Sequence, residues 1–150
     1  MEDIIVVEAK RFKNVLVAVD DSDLGQLALV NAIHQAQEDE AQLSIVSFLE
    51  PDQLNTFEAL DKDKVESAQN KVKNDLKQFQ AQAEQAGLSA VQPIYAEGEP
   101  GEMLVKHIIS DSGADLVVMG AHSKQGVRKY FGSQSKYVAN NADVTVMIVR

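Results

Sequence analysis

The chain contains no cysteine among its 150 residues, so neither a disulfide framework nor a thiolate metal site is possible. That suits a reducing compartment. No apolar stretch approaches the roughly 20 residues of a membrane-spanning helix. The opening MEDIIVVEAKRF is acidic at Glu2 and Asp3 and carries only a short apolar run, whereas a secretory signal pairs a basic start with a longer apolar core. Positive charge is also scarce: 14 Lys and Arg against 23 Asp and Glu give a formal net charge of −9. Such a surface repels nucleic acid and anionic membranes unless a local basic patch overrides it. The three histidines, His34, His107 and His122, are scattered and do not form a metal-ligand spacing. The expectation is a cytoplasmic protein with neither a nucleic-acid nor a membrane partner.

What remains is an ordinary globular composition, 45% hydrophobic and 25% charged, at the length of a single domain. Four apolar runs read as buried strands: Val15–Val19, Leu43–Leu49, Leu116–Met119 and Val144–Val149. The first and third are continuous rather than alternating, as parallel strands covered on both faces require. Ala90–Tyr95 is a fifth strand, and Pro93, which cannot donate to a ladder, places it at an edge or a bulge.

Helical patterns alternate with these strands. Asp23–Glu38 follows the first, with Ser22 or Asp23 as its cap and Gly25 weakening its first turn. A single long helix is predicted over about Leu54–Ala86, with Val65, Ala68, Val72, Leu76, Phe79 and Ala83 as one apolar stripe and Gly87 as its stop. Pro100 opens a helix running to about Ser112, ended by Gly113, and a last helix spans about Ser133–Asn140. The alternation implies right-handed crossovers and a mainly parallel sheet between helical layers, an α/β fold in one domain. Residues 1–13 fall outside the pattern; Ile4–Val7 reads as an extra edge strand, a partner-binding arm or a frayed tail.

Ligands of open α/β sheets bind beyond the carboxyl ends of the strands. Strand one ends Val19-Asp20-Asp21-Ser22-Asp23. Strand four ends Met119-Gly120-Ala121-His122-Ser123-Lys124-Gln125-Gly126, with Gly132-Ser133-Gln134-Ser135 shortly after. Gly120 permits close backbone approach to a ligand. The start of the last helix attracts an anion such as phosphate, Ser133 and Ser135 add hydroxyls, and Lys124, Arg128 and Lys129 form a local cationic cluster. The alternative is that Ser133 only caps a helix while Gly120 and Gly126 only turn the chain. Asp20 has two readings as well, as an acceptor for a ribose hydroxyl or the adenine amino edge, or as part of the cap of the first helix. The run Asp20, Asp21, Asp23 lacks the glycine and terminal glutamate of an EF-hand calcium loop.

Taken in order, Val19-Asp20-x-Ser22, Glu97-Gly98-Glu99-Pro100-Gly101, Ala114–Gly120, the glycine-containing segment through Gly132 and Ser133, and the closing strand Val144–Val149 resemble the universal stress protein family from about Phe12 to Arg150. The resemblance implies a Rossmann-like three-layer α/β/α sandwich over residues 14–150, with a five-stranded parallel sheet of order 3-2-1-4-5. It also implies a homodimer formed by antiparallel pairing of Val144–Val149. One branch of that family binds ATP through Gly-x-x-Gly, nine residues, then Gly followed by Ser or Thr. Carried onto this chain, Asp20 and Phe48 face adenine or ribose, Met119 and Gly120 line the adenosine pocket, and His122, Ser123, Gly132, Ser133, Gln134 and Ser135 surround the phosphates, any Mg being held through those phosphates. The chain departs from this pattern twice: Ser123 replaces the second glycine, and eight residues, Lys124–Phe131, separate it from Gly132. The resulting expectation is a stress-response regulatory protein that binds ATP or AMP and is not an enzyme, since no acid–base pair is evident. Its alternative is a dimeric interaction module with a degenerate phosphate loop.

Overall fold

Runs of β-branched and aliphatic residues form the five strands, and the sheet they build is parallel throughout. The computed structural model describes residues 3–122 and 132–150. The strands are β1 (Asn14–Ala18), β2 (Gln42–Leu49), β3 (Val91–Glu97), β4 (Leu116–Gly120) and β5 (Thr145–Val149), ordered β3-β2-β1-β4-β5. In register, Val15 lies between Leu43 and Leu116, and Val17 lies between Ile45 and Val118. The central strands are buried on both faces, which is why β1 and β4 read as unbroken apolar runs. β3, with Pro93, is an edge strand as that proline requires.

Helices cover both faces. On one side α1 (Asp23–Asp39) and α3 (Lys62–Gln85) seal Val15, Val17, Leu43 and Ile45 beneath Leu29, Ile33, Leu76 and Phe79. On the other, Leu104, Ile108 and Val138 close over Leu16, Val46, Val117 and Met119. They come from the helical stretch after Pro100 and from α6 (Ser133–Asn141). That stretch starts with Pro100 in its first turn, runs as α4 (Pro100–Met103), a π-helical turn (Leu104–Ile108) and α5 (Ile109–Ser112), and stops at a left-handed Gly113. The π turn leaves Leu104, Ile108 and Ile109 all buried. No helix among the described residues is long and apolar enough to cross a membrane.

The long helix expected over 54–86 is instead two helices, preceded by a separate turn. A 3₁₀ turn (Pro51–Gln53) and α2 (Thr56–Ala59) precede α3. The cause is capping. The Asn55 side chain accepts from the Glu58 amide at 2.8 Å while Glu58 Oε1 accepts from the Asn55 amide at 3.3 Å, and Asp61 then accepts from the amides of Asp63 and Lys64 to start α3 afresh. The apolar stripe also divides: Leu76, Phe79 and Ala83 enter the core, while Val65, Ala68 and Val72 stay half exposed.

Residues 3–13 contain no strand. Asp115 receives the amides of Lys13 and Asn14, both at 2.9 Å, and Asp39 receives that of Phe12 at 3.0 Å. These two carboxylates fix where the chain enters the sheet. The Phe12 amide, with help from Gln35, holds the Asp39 carboxyl below its ordinary range.

Candidate functional site at the carboxyl ends of the strands

β1 is the point where the sheet changes its winding, with β2 on one side and β4 on the other. A crevice outside the carboxyl ends is expected at such a point, and a cleft of about 330 Å³ lies there. Its floor is apolar, made by Val19, Phe48 and Met119, all buried, together with Ala18. Ala68 and Val72 of α3 form a wall with the core residue Phe79, which explains why these two residues of the helix's stripe stay half exposed. Buried Ser47 donates to the Val19 carbonyl at 2.9 Å and locks the β1 and β2 ends together.

The corner after β1 is built around Asp20. Its Oδ1 accepts from the Ser22 amide at 3.0 Å and from the Ser22 hydroxyl, and Ser22 Oγ accepts from the Gly25 amide at 2.9 Å, capping α1. Ser22, not Asp20 or Asp23, is therefore the cap, and Asp20 buttresses it. A Cβ on Gly25 would stand 2.2 Å from Asp20 Oδ1 and 2.8 Å from the Asp20 carbonyl oxygen. Gly25 is needed for this close approach, a stronger requirement than the weakening of a first turn. The absent side chain of Gly120 is likewise used by the protein itself: a Cβ there would meet Leu24 at 3.2 Å, so it lets α1 press on β4 rather than admitting a ligand.

At the opposite rim, Gly132 caps α6 with a left-handed φ of 69° and supplies no side chain to the opening amides of the helix. That turn is held in place by its neighbours. The buried Ser135 hydroxyl donates to the carbonyls of Ala121 (3.1 Å) and Gly132 (3.3 Å). Gln134 Oε1 accepts from the Gly101 amide at 2.7 Å while its Nε2 donates to Glu99 at 2.9 Å. Ser135 and Gln134 thus act as struts between α6, β4 and the turn before α4, where the sequence suggested groups presented to phosphate. Ser133 is exposed and lies outside the cleft lining, and it is not the cap of α6.

The structure brings together Asp20, Phe48, Met119, Gly120, His122, Gly132, Gln134 and Ser135 around one cleft. Ser123, Lys124, Gly126, Arg128 and Lys129 lie outside the described residues.

Acidic groups dominate the described rim. Asp20, Asp21, Glu50, Asp52, Asp75 and Glu99 line it, with Lys71 and His122 as cationic or titratable counterparts. Burial, reinforced by Asp52, Asp20 and Glu99, pushes the Glu50 carboxyl up to about 7. Desolvation lowers His122, partly opposed by attraction to Asp20. Lys71 on α3 reaches Asp75 at 2.8 Å and Asp21 at 3.3 Å, which straps α3 to the corner after β1 and raises its own pKa. Sequence reading missed Glu50 and Lys71. Glu50 follows immediately after β2 and was recoverable from the strand-end rule; Lys71 looked like one more solvated lysine on a polar helix face.

Residues 11–150 match the model of the universal stress protein family. A putative universal stress protein of Staphylococcus haemolyticus is 29% identical over 140 residues, covering 93% of this chain and 85% of that protein. Among solved structures, the universal stress protein UspA from Lactobacillus plantarum superposes with a TM-score of 0.79 at 26% identity, covering 95% of this chain and all (100%) of the other. A universal stress protein in complex with cAMP superposes with a TM-score of 0.70 at 24% identity, covering 94% and 99% of the two chains. By its strand order, its cleft and a family match that spans nearly its whole length, the chain belongs to the universal stress protein family.

Proposed function

We propose that the protein is a regulatory adenine-nucleotide-binding protein that works as a homodimer and not as an enzyme. The observation that carries the reading is the cleft itself: an apolar floor of Val19, Phe48 and Met119 at the ends of β1, β2 and β4, bounded by the opening turn of α6, whose cap Gly132 brings no side chain. The floor suits a planar purine, with Asp20 beside it as an acceptor for ribose hydroxyls or the adenine amino group. The α6 turn, with its dipole and its backbone amides, offers the phosphates a positively polarised end. Lys124, Arg128 and Lys129 supply formal positive charge in the sequence between β4 and α6. The cAMP complex of a structural relative agrees with an adenylate in this fold. Mg would arrive on the phosphates of ATP. β5, an edge strand free of charge and proline, is the surface through which Val144–Val149 would pair two copies.

A second reading, an interaction module without nucleotide, is favoured by one observation: Gln134 and Ser135 are already engaged by protein partners, and six carboxylates line the described rim. Thermal shift with Mg-ATP, AMP and adenosine separates the two, because stabilisation scales as RT ln(1 + [L]/Kd). Binding predicts a rise in Tm for an adenylate. No rise with any of the three ligands supports the module. Charge reversal at Lys124 and Arg128 then tests the phosphate end: ATP affinity should fall more than adenosine affinity, and equal losses would remove phosphate from this loop.

A further inference from the structure

The segment ahead of β1 carries apolar side chains that neither the core nor the cleft uses. Ile4, Ile5, Val6 and Val7 are 81–88% exposed, four successive β-branched side chains in water. The segment meets the domain at the amino end of the sheet. There Lys10 Nζ donates to Thr145 Oγ1 at 3.3 Å, at the first residue of β5, and Arg11 reaches Asp39 and Glu40 at the end of α1. A strand annealed to its own β5 would be covered on one side, and this exposure excludes that arrangement.

A second apolar pair stands on α1. Leu27 and Val30 are 41% and 52% exposed, one helical step apart, on the helix that packs against β4 and β5. α1 runs opposite to the strands, starting at the corner after β1 and ending beside Phe12. Leu27 and Val30 therefore lie towards the carboxyl end of the sheet, while Lys10 lies at the amino end. Antiparallel β5 pairing sets the amino end of one β5 beside the carboxyl end of the other. It thus brings the root of one arm to the level of the other copy's exposed α1 residues. From Lys10 to Ile4 an extended chain reaches about 20 Å, about four times the roughly 4.8 Å between paired strands.

We infer that Ile4–Val7 is an exchanged arm: it crosses the two-fold axis and packs on Leu27 and Val30 of the partner subunit. The inference rests on the dimer reading above. It gives the four exposed side chains and the exposed α1 pair one shared burial, and it brings the arm of one copy close to the cleft-forming end of the other's sheet.

The absence of native cysteine makes the test direct. Full-length protein carrying Ile5→Cys and Val30→Cys is oxidised mildly and compared with Ile5→Cys paired with Lys73→Cys, a control on exposed α3 surface. Rapid formation of covalent dimers by the first pair alone is expected. In parallel, replacing Ile4–Val7 with serines, all at exposed positions, should weaken the dimer on the order of tenfold by sedimentation. Crosslinking within a single chain, or no faster than in the control, overturns the arm contact while the dimer reading stands. Wild-type protein that sediments as a monomer at every concentration overturns both.

Discussion

Replacing Glu50 by glutamine should stabilise the protein at alkaline pH and leave it unchanged in acid. Glu50 follows β2, and burial together with Asp52, Asp20 and Glu99 raises its carboxyl from an ordinary 4.5 to about 7. A carboxyl held high in the folded state binds its proton more tightly there than in the unfolded chain. Below about pH 4.5 both states are protonated and the difference vanishes. As pH rises from 4.5 to 7 the unfolded state gives up its proton first, and stability falls; above 7 the whole penalty is present. Full linkage would make it roughly 3 kcal/mol. Glu50 keeps part of its hydration, which screens the repulsion and leaves on the order of 1 kcal/mol. Glutamine keeps the shape and removes the charge. Two bonds of the turn, from the Gln53 amide to the Glu50 carbonyl and from the Glu50 amide to the Gln53 side-chain Oε1, both at 3.1 Å, are untouched. For a domain of this size 1 kcal/mol moves Tm by about 2–4 °C. The measurement is Tm of both proteins at pH 5 and pH 8. A gain for Glu50→Gln confined to pH 8 supports the argument. An equal shift at both pH values, or a loss at pH 8, would show that the ionised carboxylate is not strained in this rim.

Further outcomes follow from the same geometry. Phosphates entering a cleft that holds Glu50 would keep its proton in place, so ATP binding near neutral pH should take up a proton; calorimetry in buffers of different ionisation enthalpy reads it, and adenosine should show a smaller uptake. Gly25→Ala drives a methyl into Asp20 Oδ1 and should cost about 1–3 kcal/mol in urea denaturation, the range of overpacking combined with a damaged helix cap. Ser135→Ala removes the hydroxyl that ties α6 to the Ala121 carbonyl and should cost about 1 kcal/mol of stability. Because that hydroxyl is a strut, the ratio of ATP to adenosine affinity should not change; a selective loss of ATP affinity would make it a phosphate donor after all. Lys71→Met cuts the strap to Asp21 and Asp75 at an exposed site, and its effect on Tm should be small, under about 1 kcal/mol.

The strands were legible because their physics is local. A continuous run such as Leu116–Met119 can only be covered on both faces, and Pro93 can only sit where no ladder needs its amide. The helix break before Asp61 was harder to see, since the apolar stripe begins only at Val65, beyond the break, and the capping residues Asn55 and Asp61 look like ordinary polar surface. Periodicity reports which face is apolar, not what covers it. For that reason Ala68 and Val72, read only as part of an apolar stripe, turn out to wall a cleft. The same limit governs the site. Strand-end position located Asp20, Met119 and His122, but residue type alone did not separate side chains that face the cleft from those that brace it.

Gln134 and Ser135 illustrate why bracing matters to function. A phosphate-binding turn must hold its amides still before the ligand arrives, because ordering them afterwards would subtract from affinity. Gln134 fixes the turn to Glu99 and Gly101, and Ser135 fixes it to the end of β4. Both side chains are engaged in this work, so under the nucleotide reading recognition of an anion at α6 would fall mainly to backbone amides and to charge carried elsewhere in the chain. The described rim is acidic, and a neutral adenosine therefore loses less by entering it than a nucleotide does. The decisive quantity is the difference between adenosine and ATP affinity as salt is raised. If the cations between β4 and α6 overcome the rim, salt should weaken ATP far more than adenosine. If ATP instead binds more tightly in high salt, the carboxylates govern the site and the cleft is built for the nucleoside.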